Sequence, residues 1–547
     1  MNPYGIWILG LAILYTTVLI VIGNIVKSKA RGGEGYWVGG RSFTPWMVFV
    51  CITGLFSGSS FIAILELSYK HGISAGWYGV AEMVHILIIA LLLIVYLRRL
   101  NVVTVSGLIG DHYGRVALGL SGLITAFTFP MWTVANALSF AVALHVFTNF
   151  SLPVTVSISA VLLLLFLQAG GMWSVVVTQT ANNIAFALMF IIGIIAFFIN
   201  PGPAGLAHLA ATRPEMFSLD GVGLQLIIAW FATFLINVVV AQAAFQMALS
   251  CRTPEEGRRG LLMAFGANIF FIFFGVLFGL SAAVVVPGGA GGMVSIPVYL
   301  GKVLPPPLVG LFFMGIWACS LGWGAPCQFS GATSLGRDFA GAVNPNLTDA
   351  RKVIYTKYSL VLLTVMVVIL ALLRSEQAAW WNVLAWTLRN GATFAPVVTI
   401  IFWPLATRRA AVISMAVGFL SGLAWYHLGH WDPARFYLNV HPVFFAMSMN
   451  IISLVAVTLV EKAGRWQLGK NPSAGRRTAV WVGTIGGLAC GFLILTRFTW
   501  LYKLGLIGLD LFLLVISLFI IIMAVVVPKE QLQEKSAGAS VVPTKIA

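Results

Sequence analysis

Two pairs of ionisable side chains lie within long apolar stretches of the chain. Glu82 and His85 are three residues apart, and Glu66 and Lys70 are four apart, so each pair shares one face of a helix. Ionisable residues at membrane depth indicate functional sites, because a charge in hydrocarbon is costly. A buried carboxylate beside an imidazole can carry a proton. The sequence therefore leaves two interpretations of Glu82 and His85 open, a proton-carrying pair and a hydrated structural pair in the outer half of the membrane, and it favours the second.

The stretch from Trp46 to Gly72 is apolar overall but has a polar middle. Residues 53–60 read TGLFSGSS. Glycines and hydroxyl side chains weaken a helix and expose its carbonyl groups. An interrupted membrane helix indicates a binding site, whereas small residues also let a neighbouring helix approach closely. This segment alone leaves both interpretations open.

The composition predicts a polytopic membrane protein. Of the 547 residues, 60% are hydrophobic and only 9% are charged, which is too little polar surface for a soluble protein of this length. About fifteen apolar segments are long enough to cross a bilayer. Their approximate limits are 6–26, 46–66, 78–97, 116–146, 153–169, 174–199, 224–249, 261–286, 308–336, 355–373, 380–405, 411–428, 441–461, 480–496 and 504–527.

The net charge of +16 is explained by membrane topology. Most Lys and Arg residues fall in alternate loops, including the pairs Arg98–Arg99 and Arg258–Arg259. The positive-inside rule then places the N-terminus outside and the C-terminus in the cytoplasm of a plasma membrane, the inner membrane in a bacterium. The positive charge therefore requires no nucleic-acid partner.

Several classes of activity have no support in the sequence. The five cysteines are scattered, which indicates neither a disulfide framework nor a metal site. There is no Walker sequence, zinc-ligand spacing or nucleophile elbow. We therefore expect neither an enzyme nor an ATP-driven pump, and no cofactor.

Separated stretches of the chain resemble motifs of one family, the sodium:solute symporters, in their order and spacing. They cover roughly residues 35–430. The stretches are 35–43 (GYWVGGRSF), 60–72, 170–179 (GGMWSVVVTQ), Gln242 and Gln246 followed by the Glu255–Arg259 cluster, Ser330 to Asp338, and Phe394-Ala395-Pro396.

The resemblance implies an all-α polytopic membrane protein with a LeuT-type fold. Two five-helix repeats of inverted topology, each opening on an interrupted helix, would join flanking helices to give about 13–15 transmembrane helices. The implied regions are 1–45 (leading helix and loop), 46–223 (first repeat), 224–405 (second repeat), 406–528 (additional C-terminal helices) and 529–547 (disordered cytoplasmic tail).

The resemblance also implies a solute site at the middle of the membrane. Hydroxyl, amide and aromatic side chains with few charges suit a small polar organic solute. The implied solute contacts are Ser57, Ser60, Gly79, Trp132, Asn136, Gln242, Phe245 and Gln246. Arg389 could grip a carboxylate with two hydrogen bonds, but the favoured interpretation is an interfacial arginine with its charged head in water.

One sodium site of the family uses backbone carbonyls that match Thr53 and Phe56. Its paired serine hydroxyls fall on Gly322 and Trp323 when the sequence is counted back without gaps from Asp338. Glycine has no hydroxyl, and an indole has only an N–H donor. A small hard cation needs several oxygen ligands, so this site is expected to be degraded.

The second sodium site of the family also loses a ligand, because Gln179 replaces its aspartate. If the gapless count slips, Ser320 or Ser330 supplies a hydroxyl to the first site instead. The resemblance thus implies sodium, and these replacements put sodium in doubt.

The function expected from the sequence is a secondary transporter of a small polar organic solute that works by alternating access. Its partners would be that solute and the lipid bilayer. The alternatives are a proton-coupled carrier or an uncoupled facilitator with the same fold, and a membrane solute sensor.

Overall fold

The computed structural model describes residues 2–26, 32–95, 103–168, 171–289, 291–374, 378–433, 435–469 and 474–529. Most of these residues are helical, and eleven of the helices are long and apolar enough to cross a membrane. Shorter apolar helices of 10–17 residues accompany them. The total number of spans, expected to be 13–15, depends on how many of these shorter helices cross the membrane together with an adjoining helix. The predicted class, an all-α polytopic membrane protein, is confirmed.

The structure divides into two compact units, Met1–Asn390 and Gly391–Ala547. The helices of the first unit are α1 (Pro3–Val26), α2 (Gly32–Val38), α3 (Pro45–Phe56), α4 (Ile62–His71), α5 (Gly76–Ile88), α6 (Val105–Tyr113), α7 (Arg115–Phe147), α8 (Leu152–Leu167), α9 (Gly171–Ile199), α10 (Gly202–Thr212), α11 (Leu224–Asn237), α12 (Gln242–Ala248), α13 (Pro254–Val285), α14 (Gly292–Val303), α15 (Pro306–Thr333), α16 (Ala340–Val343) and α17 (Asp349–Leu373). Helix α18 (Ala378–Phe402) begins in this unit.

The chain stays helical from α3 into α4. The two helices join through one π-helical turn, Ser57–Phe61, and Ser57 has helical dihedrals (φ −59°, ψ −39°). The expected interruption of this stretch is therefore wrong, because the helix widens here and does not open. Close packing accounts for the small residues, since a Cβ at Gly58 would lie 2.8 Å from the carbonyl oxygen of Cys319.

The predicted interruption of the 224–249 segment is present. Helix α11 ends at Asn237 and α12 begins at Gln242, with a turn at 238–240 and an irregular residue at 241. The side chain of Gln242 anchors the start of α12. Its Nε2 donates to the Ser330 carbonyl (3.2 Å) and to Ser334 Oγ (3.0 Å), and its Oε1 accepts from the Val105 backbone N–H (3.1 Å).

A glycine turn separates α4 from α5. Gly72 has φ +64°, a conformation that side chains with a Cβ rarely adopt. The short 3₁₀ turn Gly72–Ala75 then leads into α5, which carries Glu82 and His85. This turn places α5, with Glu82 and His85, next to the π-helical turn Ser57–Phe61.

The second unit holds the end of α18, then α19 (Arg408–Leu428), α20 (Pro442–Glu461), α21 (Ala474–Lys503) and α22 (Ile507–Val525). A short antiparallel pair, β1 (Trp466–Leu468) and β2 (Val526–Pro528), also lies here. The boundary between the two compact units falls within α18, and the implied division into two repeats and additional helices, with its boundary at 405/406, stays a prediction. The predicted disordered tail lies, except for Lys529, outside the described residues.

Proline inside α18 is accommodated by a buried asparagine of α20. Pro396 has no N–H and displaces the carbonyl four residues earlier, at Ala392. Asn450 Nδ2 donates to that carbonyl (3.0 Å), and its Oδ1 accepts from the Ala395 N–H (2.9 Å). The Phe394-Ala395-Pro396 motif therefore depends on a partner far along the chain.

Candidate functional site

A small cavity lies in the first unit between α3, α5, α7, α11, α12, α15 and α18. Its volume is about 20 Å³, which is room for roughly one water molecule. Charged, imidazole and amide groups share the wall with many aromatic rings. The polar and aromatic lining residues are Phe56, Glu82, His85, Phe129, Trp132, Phe234, Asn237, Trp323, Trp386 and Arg389.

Among the residues that the structure describes, six Phe and Trp rings line the cavity. The Trp132 ring lies 5.9 Å from the ring centres of both Trp323 and Trp386. Phe129 lies 4.7 Å from Trp132, and Phe234 lies 4.4 Å from Trp386. These rings keep bulk water away, which strengthens electrostatic interactions within the cavity.

Arg389 is buried in this wall, with only 3% of its surface exposed. Its guanidinium lies 4.9 Å from the centre of the Trp132 ring and 5.1 Å from that of Phe129, within cation–π range. Its Nη2 donates to Oδ1 of Asn237. The favoured sequence interpretation, an interfacial arginine with its head in water, is therefore wrong.

Glu82 and His85 also line the cavity, and each is only 4% exposed. Ser60 Oγ donates to a carboxylate oxygen of Glu82. His85 Nε2 lies 3.4 Å from Asn237 Nδ2. The favoured interpretation of a hydrated pair is wrong, because the fold buries both side chains. Proton transfer by this pair stays a prediction.

Asn237 connects the two halves of this polar wall, because its side chain reaches both Arg389 and His85. Sequence reasoning missed it. The available signal was a single amide at the end of an apolar helical segment, immediately before the run of valines at 238–240. The role of this amide is evident only in the folded structure, where α5 and α18 lie beside it.

The predicted solute contacts divide into two groups in the structure. Trp132 lines the cavity, and Ser60 is joined to it through Glu82. Gln242 does not line it, and its amide is bonded to other helices. The side chains of Phe245 and Gln246 lie outside the described residues.

Ser57, Gly79 and Asn136 also lie outside the cavity lining. Ser57 Oγ donates to the Gly54 carbonyl (2.7 Å), and Asn136 Nδ2 donates to the Trp132 carbonyl (2.7 Å). Gly79 serves helix packing, since a Cβ there would lie 2.8 Å from the side chain of Ile64. A solute role for these three residues stays a prediction.

The residues implied for the sodium sites lie beside the cavity, where α3, α9 and α15 meet. Gln179 Nε2 donates to the Gly322 carbonyl (2.8 Å), and a Cβ at Gly54 would lie 2.7 Å from the same nitrogen. Gln179 Oε1 accepts from Asn182 Nδ2 (2.9 Å), and Asn182 Oδ1 accepts from the Tyr15 hydroxyl (2.7 Å). A continuous chain of hydrogen bonds thus runs from α1 to α15.

The carbonyl of Thr53 accepts the Ser57 backbone N–H within the helix. Phe56 and Trp323 both line the cavity. Ser320, the alternative serine, donates its hydroxyl to the Asn136 carbonyl (2.8 Å). Over the described ranges, no group of three or more His, Cys, Asp or Glu side chains is placed to hold a metal ion.

A model of the sodium:solute symporter family matches residues 36–418. The chain belongs to the sodium:solute symporter family. It is 22% identical to the sodium/pantothenate symporter of Haemophilus influenzae, over 76% of this chain and 90% of that protein. It is also 22% identical to the high-affinity proline transporter PutP of Bacillus subtilis, over 80% and 96% of the two chains.

Comparison with solved structures supports the same architecture. A Na⁺-coupled sialic acid symporter in a substrate-bound, outward-open state matches with a TM-score of 0.67 and 16% identity, over 83% of this chain and 97% of that one. The fold of this symporter-family chain is therefore of the LeuT type, and the resemblance drawn from the motifs is confirmed.

The contact at Gly322 gives a first prediction. A Cβ there would lie 2.7 Å from the Gly54 carbonyl oxygen and 2.8 Å from Ser57 Oγ, so Gly322→Ala should force α3 and α15 apart. We expect a loss of about 1–3 kcal/mol of stability, measured as a lower unfolding temperature in detergent.

Gly324→Ala is the matched control two residues along the same helix. A Cβ at Gly324 would lie 3.5 Å from the nearest atom, Cβ of Asn136, which is ordinary contact. Alanine there should be neutral or slightly stabilising, because it favours the helix by up to about 1 kcal/mol. Equal losses in the two variants would contradict the close approach of α3 and α15.

Proposed function

We propose that this member of the sodium:solute symporter family carries a small polar organic solute across the plasma membrane by alternating access, and that it does so without sodium at the two sites the family motifs imply. The names of similar proteins mention pantothenate, proline and sialic acid, which are small polar organic solutes. The cavity between Glu82, Trp132 and Arg389 is the place where such a solute would bind.

The hydrogen bond between Gln179 and Gly322 carries the sodium-independent part of the proposal. A buried carbonyl oxygen needs a partner, which is either a cation or a hydrogen-bond donor. The amide nitrogen of Gln179 supplies that donor at 2.8 Å and brings no charge into the site. Gly322 adds no oxygen from a side chain, and the Trp323 indole is a donor only.

The cavity itself supports alternating access. Its volume of about 20 Å³ is too small for an organic solute, so the surrounding helices must move for the solute to enter. The break at 238–241 is a point at which α11 and α12 can move separately. Opening on the side of α12 requires the Gln242 bonds to Val105 and Ser330 to break, and the predicted topology makes this the cytoplasmic side.

Uptake into proteoliposomes tests this proposal. Initial rates would be measured with radiolabelled proline, pantothenate and sialic acid, first with external sodium and then with choline in its place. We expect the rate for any solute that is carried to change less than about twofold, because a site occupied by a neutral amide gains nothing from the cation. A steep, saturable dependence on sodium would contradict the proposal.

Proton coupling is a second candidate, and one observation favours it. Glu82 and His85 are both buried at the cavity, where a carboxyl group can change its protonation as the site opens to either side. Charged or polar groups nearby include Arg389, Asn237 and Ser60. A proton would then replace sodium as the driving ion.

A further inference from the structure

The cavity wall carries hydrogen-bond donors that have no acceptor among the residues that the structure describes. The indole N–H groups of Trp132 and Trp323 are buried, and neither bonds to any acceptor in the described part of the chain. Both residues line the cavity. Most buried polar groups are satisfied, so two unpaired donors at one site indicate a ligand with acceptor atoms.

Arg389 adds a positive charge to the same wall. Its guanidinium carbon lies over the rings of Trp132 and Phe129, and Asn237 accepts a hydrogen bond from one of its nitrogens. The planar guanidinium presents donors in a fork that matches the two oxygens of a carboxylate. The neighbouring acid, Glu82, takes a hydrogen bond from Ser60.

We infer that Arg389, Trp132 and Trp323 form a subsite for the carboxylate group of the transported solute. The inference rests on the proposed transport function and names its substrate class. A carboxylate has acceptor sites for both indoles and for the guanidinium. A neutral amide in the same place would direct its own N–H₂ towards these donors, whereas a carboxylate presents only acceptor atoms.

Two kinds of solute share this chemistry, a simple organic anion and a zwitterion. In the zwitterion, the ammonium group would face Glu82 and the aromatic rings. The shared carboxylate is what the subsite recognises, so the test includes both kinds, each with a partner of the same shape in which a neutral amide or alcohol replaces the carboxylate.

The test measures ligand-induced thermal shifts of the full chain in lipid nanodiscs, in choline buffer without sodium. The matched pairs are propionate with propionamide, pantothenate with panthenol, and proline with prolinamide. We expect at least one carboxylate to raise the unfolding temperature by a few degrees at saturation and its partner without the carboxylate to give no shift. Equal shifts within every pair, or no shift with any carboxylate in either choline or sodium buffer, would overturn the inference.

Trp132→Phe tests the subsite while preserving the ring. Loss of one hydrogen bond to a charged group should weaken carboxylate affinity about tenfold or more. Trp317→Phe is the control, because the Trp317 indole donates to Thr16 Oγ1 (2.8 Å) and does not line the cavity. Unchanged affinity in Trp132→Phe, or the same loss in both variants, would contradict the assignment.

Arg389→Lys keeps the charge and removes the fork, so it should also weaken carboxylate binding more than binding of the neutral partner. Carboxylate binding that appears only when sodium replaces choline would support the subsite and contradict the proposed sodium independence. Preference for neutral solutes in choline would overturn the subsite and leave sodium independence standing.

Discussion

Alanine in place of Gln179 is expected to lower the unfolding temperature of the purified chain by several degrees. The substitution removes the donor to the Gly322 carbonyl and the acceptor for Asn182, both in a buried site. Hydrogen bonds between membrane helices are each worth about 0.6 kcal/mol and at most about 1.7. The bond between helices to Gly322, the bond within α9 to Asn182 and the space left by the side chain give a loss of about 1–3 kcal/mol, measured by intrinsic fluorescence during heating in detergent.

Gln328→Ala is the matched control for this measurement. Gln328 is also fully buried and lies on α15. Its Nε2 has a longer bond, 3.3 Å to Thr364 Oγ1, and its Oε1 accepts none from the described residues. The control should therefore lose clearly less stability. Equal losses would mean that Gln179 contributes its volume and not its hydrogen bonds.

Glutamine in place of Glu82 is expected to abolish solute accumulation driven by an acidic exterior, if the proton is the coupling ion. With one proton carried per solute, each unit of pH gradient supports about tenfold accumulation. An amide cannot carry the proton, although it can still accept the hydrogen bond from Ser60. Downhill exchange of solute should continue, and proteoliposomes with an imposed pH gradient would measure both activities.

Glu66→Gln controls for the loss of a buried carboxylate elsewhere in the same unit. Glu66 Oε2 accepts the Ala379 backbone N–H (3.0 Å) at the start of α18, and a glutamine oxygen can do the same. This variant should keep gradient-driven accumulation. Full accumulation by Glu82→Gln would exclude proton coupling through Glu82.

The helices were predictable from the sequence because apolar length is a local property. Every predicted segment overlaps a helix of the described structure, including 224–249 with its interruption. The stretch at 53–60 was harder. Its small residues fit both an open helix and close packing, and the contact of Gly58 with Cys319, far along the chain, decides between them.

The site was less predictable, because its residues obtain their roles from distant partners. The sequence shows that Gln179 stands where the family has a charged aspartate. It does not show the hydrogen bond from Gln179 to the Gly322 carbonyl, because the two residues are 143 positions apart. Arg389 has the pattern of an interfacial arginine until Trp132 and Asn237 are placed around it. Burial and pairing of this kind depend on tertiary packing, which local patterns do not encode.

Direct binding of radioactive sodium tests the central claim without knowledge of the solute. The purified chain in choline buffer would be titrated with ²²Na⁺ in a scintillation proximity assay, beside the sodium/pantothenate symporter of Haemophilus influenzae as a positive control. With the Gln179 amide bonded to the Gly322 carbonyl, we predict no saturable signal from this chain. A saturable signal displaced by unlabelled sodium would contradict the account.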